Sequence, residues 1–202
     1  MTKEREMAMS QDSQRVTETK EKIKEAFFDL YTQKKIEHIS IKEITDRAKL
    51  NRGTFYVYYK DIYDLLEKVE DEIIVEITDK IKIIVATLLK EPDTFLILPP
   101  LEFYQKYHIC LKILLGVNGD PNFIHKVKQL VKKNIKELIQ KENILITSEL
   151  DYVLEYVASA QIGIITYWMS RDMDLSLNEL GDLIRQVSLQ GPIGYFLRHK
   201  EG

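Results

Sequence analysis

Apolar residues recur along this chain at the spacing of amphipathic helices. Five of them lie at i, i+3, i+4, i+7 and i+8 and therefore share one helical face: Ile23, Ala26, Phe27, Leu30 and Tyr31. This first helix is expected to run from about Val16 to Lys34. The same period continues with few Gly or Pro interruptions and predicts five later helices: Ile62–Lys90, Pro100–Leu115, Pro121–Lys141, Glu149–Ser170 and Leu177–Gln190. The fold class is therefore all-α.

Two short helices with clear start signals lie between the first helix and the long one. Ser40 and Glu43 form a capping box ahead of a helix over Ile41–Ala48. Asn51 is a good N-cap for a helix over Arg52–Tyr58. A connection of about three residues cannot lay two helices side by side, so the pair predicts a helix-turn-helix.

The second of these helices is the one that enters the major groove of DNA in a helix-turn-helix. Arg52, Tyr56 and Lys60 follow one another at i+4 steps, so they form a stripe on one helical face. Arginine can contact guanine O6 and N7 with two hydrogen bonds, tyrosine offers a ring and a hydroxyl, and lysine attracts phosphate. The stripe predicts a DNA-reading surface, although any exposed helix carries residues of these types.

Three further residues suit contacts to the DNA backbone. Ser40 and Thr54 lie near helix N-termini, where hydroxyls and backbone N–H groups can bind phosphate together, and Lys42 adds a charge. Gly53 costs helix stability, which a close approach to a groove wall would explain. The alternative is that a glycine in the first turn is simply tolerated.

Charge is unevenly distributed over the 202 residues. The formal net charge is −3, but residues 1–60 hold 13 Lys and Arg against 10 Asp and Glu, whereas residues 61–202 hold 16 against 22. A mildly basic front on an acidic body would confine attraction for DNA to one end. The single cysteine, Cys110, and the absence of an apolar signal-peptide core in Met1–Gln14 favour a reducing, cytoplasmic location away from the membrane.

Catalytic chemistry finds little support in the sequence. The four histidines are scattered without a metal-binding spacing: His38, His108, His125 and His199. Cys110 and His108 are close in sequence but are not placed like a nucleophile and its base, and no glycine-rich phosphate loop occurs. We expect no catalytic residue, no metal site and no cofactor.

The segment Ser40–Leu66, SIKEITDRAKLNRGTFYVYYKDIYDLL, resembles the helix-turn-helix of TetR-family transcriptional regulators. The resemblance implies that eight residues lie at or near DNA: Lys42, Asn51, Arg52, Gly53, Thr54, Tyr56, Tyr58 and Lys60. Lys49 departs from the family's common glycine, and Ile62 departs from a common lysine. Two later stretches, LLGVNGDPNFIHKVKQLVKK and ASAQIGIITYWMS, are similar to the regulatory domain of a Firmicutes-type subgroup of this family.

These patterns predict three regions: a disordered tail over residues 1–14, a DNA-binding domain over 15–60, and a helical ligand-binding and dimerisation domain over 61–202. Small residues near Gly163 and the amphipathic helix Leu177–Gln190 favour a homodimer through Asp151–Met169 and Leu177–Gln190. A two-fold dimer implies a palindromic operator. The alternative is a core helix buried within a monomer.

Aromatic residues in the second half predict a pocket for a small apolar or amphipathic ligand. The expected contacts are Phe103, Tyr107, Phe123, Tyr156 and Trp168. The sequence as a whole predicts a dimeric repressor that binds double-stranded operator DNA and is released by a ligand. The alternative is a TetR-like helical coactivator or adaptor that acts through protein–protein contacts.

Overall fold

A computed structural model describes residues 2–88, 98–116, 119–141 and 148–198 of the protein. These residues form helices and connections without a strand, as the sequence predicts. The helices are α1 (Thr2–Tyr31), α2 (Ile41–Ala48), α3 (Arg52–Tyr58), α4 (Ile62–Leu88), α5 (Leu101–Lys106), α6 (His108–Leu114), α7 (Pro121–Lys141), α8 (Leu150–Ser170) and α9 (Leu177–Arg198), with a 3-10 turn at Ile36–His38. The chain divides into an N-terminal unit, residues 1–72, and a C-terminal unit, residues 73–202.

The N-terminal unit is built on the predicted apolar face of α1. All five residues of that face are buried, and Phe27 packs edge-on against Phe28 with ring centroids 5.0 Å apart. Ile44 of α2 and Phe55 of α3 are fully buried in the same unit. Burial of side chains of this size contributes about 1.5–3 kcal/mol each, so these contacts fix both short helices to the unit.

The structure differs from the prediction at both ends of this unit. α1 begins at Thr2, whereas periodicity predicted a helix from about Val16 and a disordered tail before it. The earlier turns contain two residues each of Glu, Met, Gln and Arg, which favour a helix without needing an apolar face. The unit also extends past the predicted boundary at Lys60, because Lys68 Nζ on α4 donates to the Tyr58 carbonyl oxygen at 3.0 Å.

The turn between α2 and α3 is closed by backbone hydrogen bonds around Lys49. Lys49 has φ 56° and ψ 42°, the left-handed conformation, and the Leu50 N–H donates to the Thr45 carbonyl at 2.9 Å. Glycine is the usual residue here because a Cβ clashes with the backbone in this conformation. Lys49 replaces the glycine that is common here in the family, and its left-handed φ is the strain expected from that replacement.

The C-terminal unit packs α5 to α9 around buried aromatic rings. The predicted helix Pro100–Leu115 is split in two at Tyr107, whose φ of −106° and ψ of 16° are not helical. The Tyr107 hydroxyl donates to Glu76 Oε2 on α4 at 2.8 Å. The predicted interruption at Gly191 is present as a kink with φ 70°, after which α9 continues to Arg198.

Replacing Lys49 by glycine should stabilise the protein. The left-handed conformation costs an L-residue roughly 1–2 kcal/mol, part of which glycine loses again to unfolded-state entropy. We expect Lys49→Gly to raise the free energy of unfolding by about 0.5–1 kcal/mol in urea denaturation. Lys35→Gly, at φ −64°, is the matched control and should not stabilise. Equal effects of the two variants would contradict the strain argument.

Candidate DNA-binding surface and internal cavity

Helix α3 presents Arg52 and Tyr56 of the predicted stripe to the outside, but it ends at Tyr58. Tyr59 is extended, with φ −137° and ψ 138°, so Lys60 lies beyond the helix and does not continue the helical stripe as predicted. Phe55 is fully buried and packs against Tyr59 with ring centroids 5.5 Å apart. Because a helix turns by about 100° per residue, this burial directs the neighbours of Phe55 outward. Arg52 and Lys60 are exposed, and Tyr56 is 58 % exposed. Val57, which the sequence analysis did not select, is 73 % exposed on the same helix and offers an apolar contact.

The N-terminus of α3 is held by its cap. Asn51 Oδ1 accepts hydrogen bonds from the Thr54 N–H at 2.8 Å and from the Thr54 hydroxyl at 3.0 Å. A Cβ at Gly53 would lie 3.2 Å from the same Oδ1 atom, so a side chain there would crowd the cap. The crowding at the cap therefore explains a glycine at position 53 without any contact to a DNA groove. Thr54 keeps oxygen lone pairs but has already committed its hydroxyl proton.

The N-terminus of α2 is closed by the predicted capping box. The Glu43 N–H donates to Ser40 Oγ at 3.3 Å, and the Ser40 N–H donates to Glu43 Oε2 at 3.0 Å. Hydrogen bonds from Lys34 and from Ser40 lower the pKa of Glu43 to about 2. The Ser40 hydroxyl also donates to Glu43 at 2.8 Å, so a phosphate contact from that proton requires an exchange of partner.

The C-terminal end of α3 is tied to α4. Tyr58 is half-buried, and Lys20 Nζ lies 5.7 Å from the centroid of its ring. The Lys60 N–H donates to Asp64 Oδ2 at 2.9 Å, and hydrogen bonds from Lys68 and from this N–H lower the pKa of Asp64. Burial raises the pKa of Tyr59 to about 12, so its ring stays neutral and packs inward.

Basic side chains of the N-terminal unit fall into paired and unpaired sets. Four are paired with carboxylates: Lys24 with Glu21 at 2.7 Å and Glu72 at 3.0 Å, Lys34 with Glu43 at 2.6 Å, Arg47 with Asp29 at 3.1 Å and Lys68 with Asp64 at 2.8 Å. Within the part of the chain that the structure describes, Lys42, Arg52 and Lys60 make no ion pair. The charge of Lys60 nevertheless acts on Asp64 and helps to lower its pKa, so Lys42 and Arg52 are the more independent of the three charges.

A cavity of about 60 Å³ lies inside the C-terminal unit. It is lined by Ile77, Ile81, Pro99, Phe103, Tyr104, Leu111, Leu115, Phe123, Val127, Val131, Gln161, Ile162 and Ile165. All of these side chains are uncharged, and only Gln161 and Tyr104 carry a polar group. The cavity is thus an apolar space with two polar side chains in its wall.

Two of the five predicted ligand contacts, Phe103 and Phe123, line this cavity, and the other three do not. Tyr107 is buried but its hydroxyl is bonded to Glu76. Trp168 is buried one layer behind the wall, where it donates to the Leu175 carbonyl at 2.9 Å. Tyr156 is 59 % exposed, because its position on α8 is turned by roughly half a revolution from Gln161 and its cavity-lining neighbours.

Sequence analysis missed both polar residues of the wall. Gln161 is 7 % exposed, and Tyr104 is 2 % exposed with a hydroxyl that has no hydrogen-bond partner. Burial raises the pKa of Tyr104, so its hydroxyl stays protonated. The one signal available was Gln161 itself, a polar residue inside the apolar run of α8.

The outer face of α8 carries an exposed stripe. Tyr152 is 82 % exposed, and Tyr156, Gly163 and Tyr167 continue the same face at helical spacing. A Cβ at Gly163 would meet no atom within 4 Å. Ala158, which the sequence grouped with the small interface residues, is instead buried in the core of its own unit. The stripe thus combines aromatic ends with a small central residue.

In the described ranges, no helix is both long and apolar enough to span a membrane, and no group of His, Cys, Asp or Glu side chains is arranged for a metal ion.

Comparison with known proteins finds similarity to transcriptional regulators. Residues 96–190 match a family model, TetR_C_8, described as the C-terminal region of a transcriptional regulator. The HTH-type transcriptional regulator YxbF of Bacillus subtilis (strain 168) is 24 % identical over 176 residues, which are 83 % of this chain and 44 % of that protein. The chain therefore spans less than half the length of this curated relative.

Solved structures share the fold. A TetR transcriptional regulator from Streptococcus agalactiae 2603V is 18 % identical with a TM-score of 0.55, covering 88 % of this chain and 96 % of that one. The dihydroxyacetone kinase operon activator DhaS is 21 % identical with a TM-score of 0.54, covering 85 % and 94 %. These structures show the shared fold, while the match over residues 96–190 and the curated relative support a TetR-family transcriptional regulator.

Proposed function

We propose that this protein is a dimeric repressor that binds a palindromic operator through α3 and is released by a small apolar or amphipathic molecule. The observation that carries the DNA-binding part is the set of unpaired charges on the outer face of the helix-turn-helix. Arg52 and Tyr56 are exposed on α3, and Lys60 is exposed just beyond its end. Unneutralised cations release counterions from DNA on binding, which favours association.

Each residue has a distinct proposed task on DNA. Arg52, at the first position of α3, is suited to a guanine edge in the major groove. Tyr56 and Val57 offer surface for a thymine methyl group. Lys42 and Lys60 suit phosphates, with Ser40, Asn51, Gly53, Thr54 and Tyr58 near the backbone as the family resemblance implies.

Dimerisation is proposed through the outer face of α8 together with α9. The exposed tyrosines Tyr152, Tyr156 and Tyr167 leave apolar surface on a helix whose other side is already packed. Tyrosine-rich surfaces with a small central residue allow close helix approach and are enriched at interfaces. Two linked helix-turn-helix units gain affinity through effective concentration.

Ligand control is proposed to act through α4. Ile77 and Ile81 of this helix line the cavity, and the helix begins directly after the helix-turn-helix. A ligand that shifts α4 would alter the spacing between the two half-sites that a dimer reads. To lower operator affinity a hundredfold, the ligand must favour the released conformation by about 2.7 kcal/mol.

A coactivator or adaptor is the second candidate function. It is favoured by the name of one solved structure with the same fold, the operon activator DhaS. An adaptor would have no use for unpaired cations on α3. A salt-dependent shift of promoter DNA in a gel supports the first candidate, whereas no binding at low salt favours the second.

Substitutions on α3 should separate base contacts from phosphate contacts. Arg52→Ala should cost about 1–3 kcal/mol at one base position and relax the sequence preference there. Lys60→Ala should weaken binding evenly across sequences and reduce the salt slope by about one. Operator titrations by fluorescence anisotropy measure both, with Lys133→Ala in the C-terminal unit as the control. Unchanged binding by both Arg52→Ala and Tyr56→Ala would refute the stripe.

The wild-type protein should have a solution mass near twice the chain mass of 23.7 kDa. Gly163→Arg should produce monomers, because a long charged side chain would hold the two α8 helices apart. The variant should still fold, since a Cβ at Gly163 meets nothing in its own chain. Multi-angle light scattering and circular dichroism test both points, with exposed Gln129→Arg on α7 as the control. A wild-type mass of one chain would refute the dimer.

A ligand should move operator affinity and Trp168 emission together. Trp168 is the only tryptophan, and its ring lies 5.1 Å from that of Tyr104 in the cavity wall. By linkage, operator DNA must weaken ligand binding by the same factor that ligand weakens DNA binding. A screen of hydrophobic metabolites against the dimer–operator complex measures both quantities. If no compound changes either, release by a ligand is refuted.

A further inference from the structure

The wall of the cavity in the C-terminal unit contains two polar side chains. Among the described residues, the Tyr104 hydroxyl is buried with no hydrogen-bond partner, and the Gln161 carboxamide beside it makes no hydrogen bond. Both side chains are more than nine-tenths buried. A buried hydroxyl without a partner destabilises the folded state, so the Tyr104 hydroxyl in this wall requires an explanation.

Water alone is a poor occupant for this space. A volume of about 60 Å³ would admit roughly four to six waters at 10–15 Å³ each. Each buried water needs two to four polar partners, and the wall provides two polar side chains among apolar ones. A molecule that fills this cavity can therefore have one polar end, but the rest of that molecule must be apolar.

The wall also excludes an ionic occupant. None of the described side chains that line it is charged. A carboxylate, phosphate or ammonium group would lose its hydration there without gaining a counter-charge, which is strongly unfavourable. Gln161 and Tyr104 can each donate and accept, so they match a neutral group that also does both.

We propose that this cavity binds a small uncharged molecule with an apolar body and one hydroxyl or primary amide group, which Gln161 and Tyr104 recognise. The inference rests on the proposed function, because it names the ligand of the same regulatory domain. The inference restricts the ligands of this cavity to neutral compounds, and it excludes carboxylates and amines of the same size.

The size of the cavity adds a condition on larger ligands. Sites for drug-sized molecules measure about 300–1,000 Å³, several times the volume present here. A larger member of the class must therefore bind a widened conformation, whereas a four-carbon molecule needs little change. Selection of a widened state is the differential affinity that release from DNA requires.

Binding of four matched probes to the full-length protein tests the chemistry. Butan-1-ol and butanamide should bind with dissociation constants on the order of millimolar, as expected for so few atoms. Butanoate and butylammonium should bind at least tenfold more weakly. Ligand-observed NMR and Trp168 emission are the measurements. Equal or tighter binding of either ion, or no binding of the two neutral probes, would overturn the inference.

Variants of the two polar residues locate the site. Gln161→Leu and Tyr104→Phe should each weaken butan-1-ol at least tenfold. The midpoint temperature of thermal unfolding of each variant should equal that of the wild type or exceed it by up to about 2–4 °C. The reason is that each substitution removes a buried polar group without a partner. Gln129→Leu and Tyr63→Phe make the same changes at exposed positions and should leave probe binding unchanged. A lowered midpoint for Gln161→Leu with probe binding unchanged would assign it a structural role instead.

Failure here can be distinguished from failure of the proposed function. Probe binding needs no DNA, so selective binding of the neutral pair supports the inference even if operator affinity does not change. If an ionic compound instead releases the operator while the neutral probes do not bind, ligand control stands and this inference is overturned.

Discussion

The burial of Phe55 is the contact on which the DNA-binding surface depends. α3 has only seven residues, too few to hold a helix in water by itself, so packing must fix both its existence and its rotation. With Phe55 at the centre of the N-terminal unit and Tyr59 beside it, Arg52, Tyr56 and Val57 have no inward direction available. The Asn51 cap sets where the helix starts, and the left-handed Lys49 sets how the chain arrives there. A core contact therefore determines what the outer face presents.

Local signals of the sequence predicted this part of the molecule well. Capping boxes, N-cap residues and the 3.6-residue period involve neighbours within a few positions, so the sequence contains all the information that they need. The same local rules failed at the start of α1, where helix-favouring residues extend the helix without an apolar face, and at Tyr107, whose hydroxyl bonds to Glu76 thirty-one positions earlier. A long-range hydrogen bond leaves no periodic trace in the sequence.

The aromatic composition predicted an apolar pocket, and an apolar cavity is present, but composition did not identify most of the residues that line it. Aromatic content pointed to Phe103 and Phe123, which line it, and equally to Tyr156, which lies on the opposite face of α8. Which face of a doubly packed helix turns inward depends on its neighbours and not on its own residues. Gln161 was overlooked for the same reason, because one polar residue in an apolar run stands out only when its surroundings are known.

Both units contain polar side chains without partners, but the cost of these side chains to stability differs between the units. In the N-terminal unit, Lys42, Arg52 and Lys60 remain without ion pairs at little cost, because water solvates exposed charges. In the C-terminal unit, the Tyr104 hydroxyl is buried without a hydrogen-bond partner among the described residues, which costs stability that an exposed hydroxyl would not cost. Under the proposal made above, a ligand that bonds to this hydroxyl stabilises the conformation it enters, and this differential stabilisation is the free energy for moving α4.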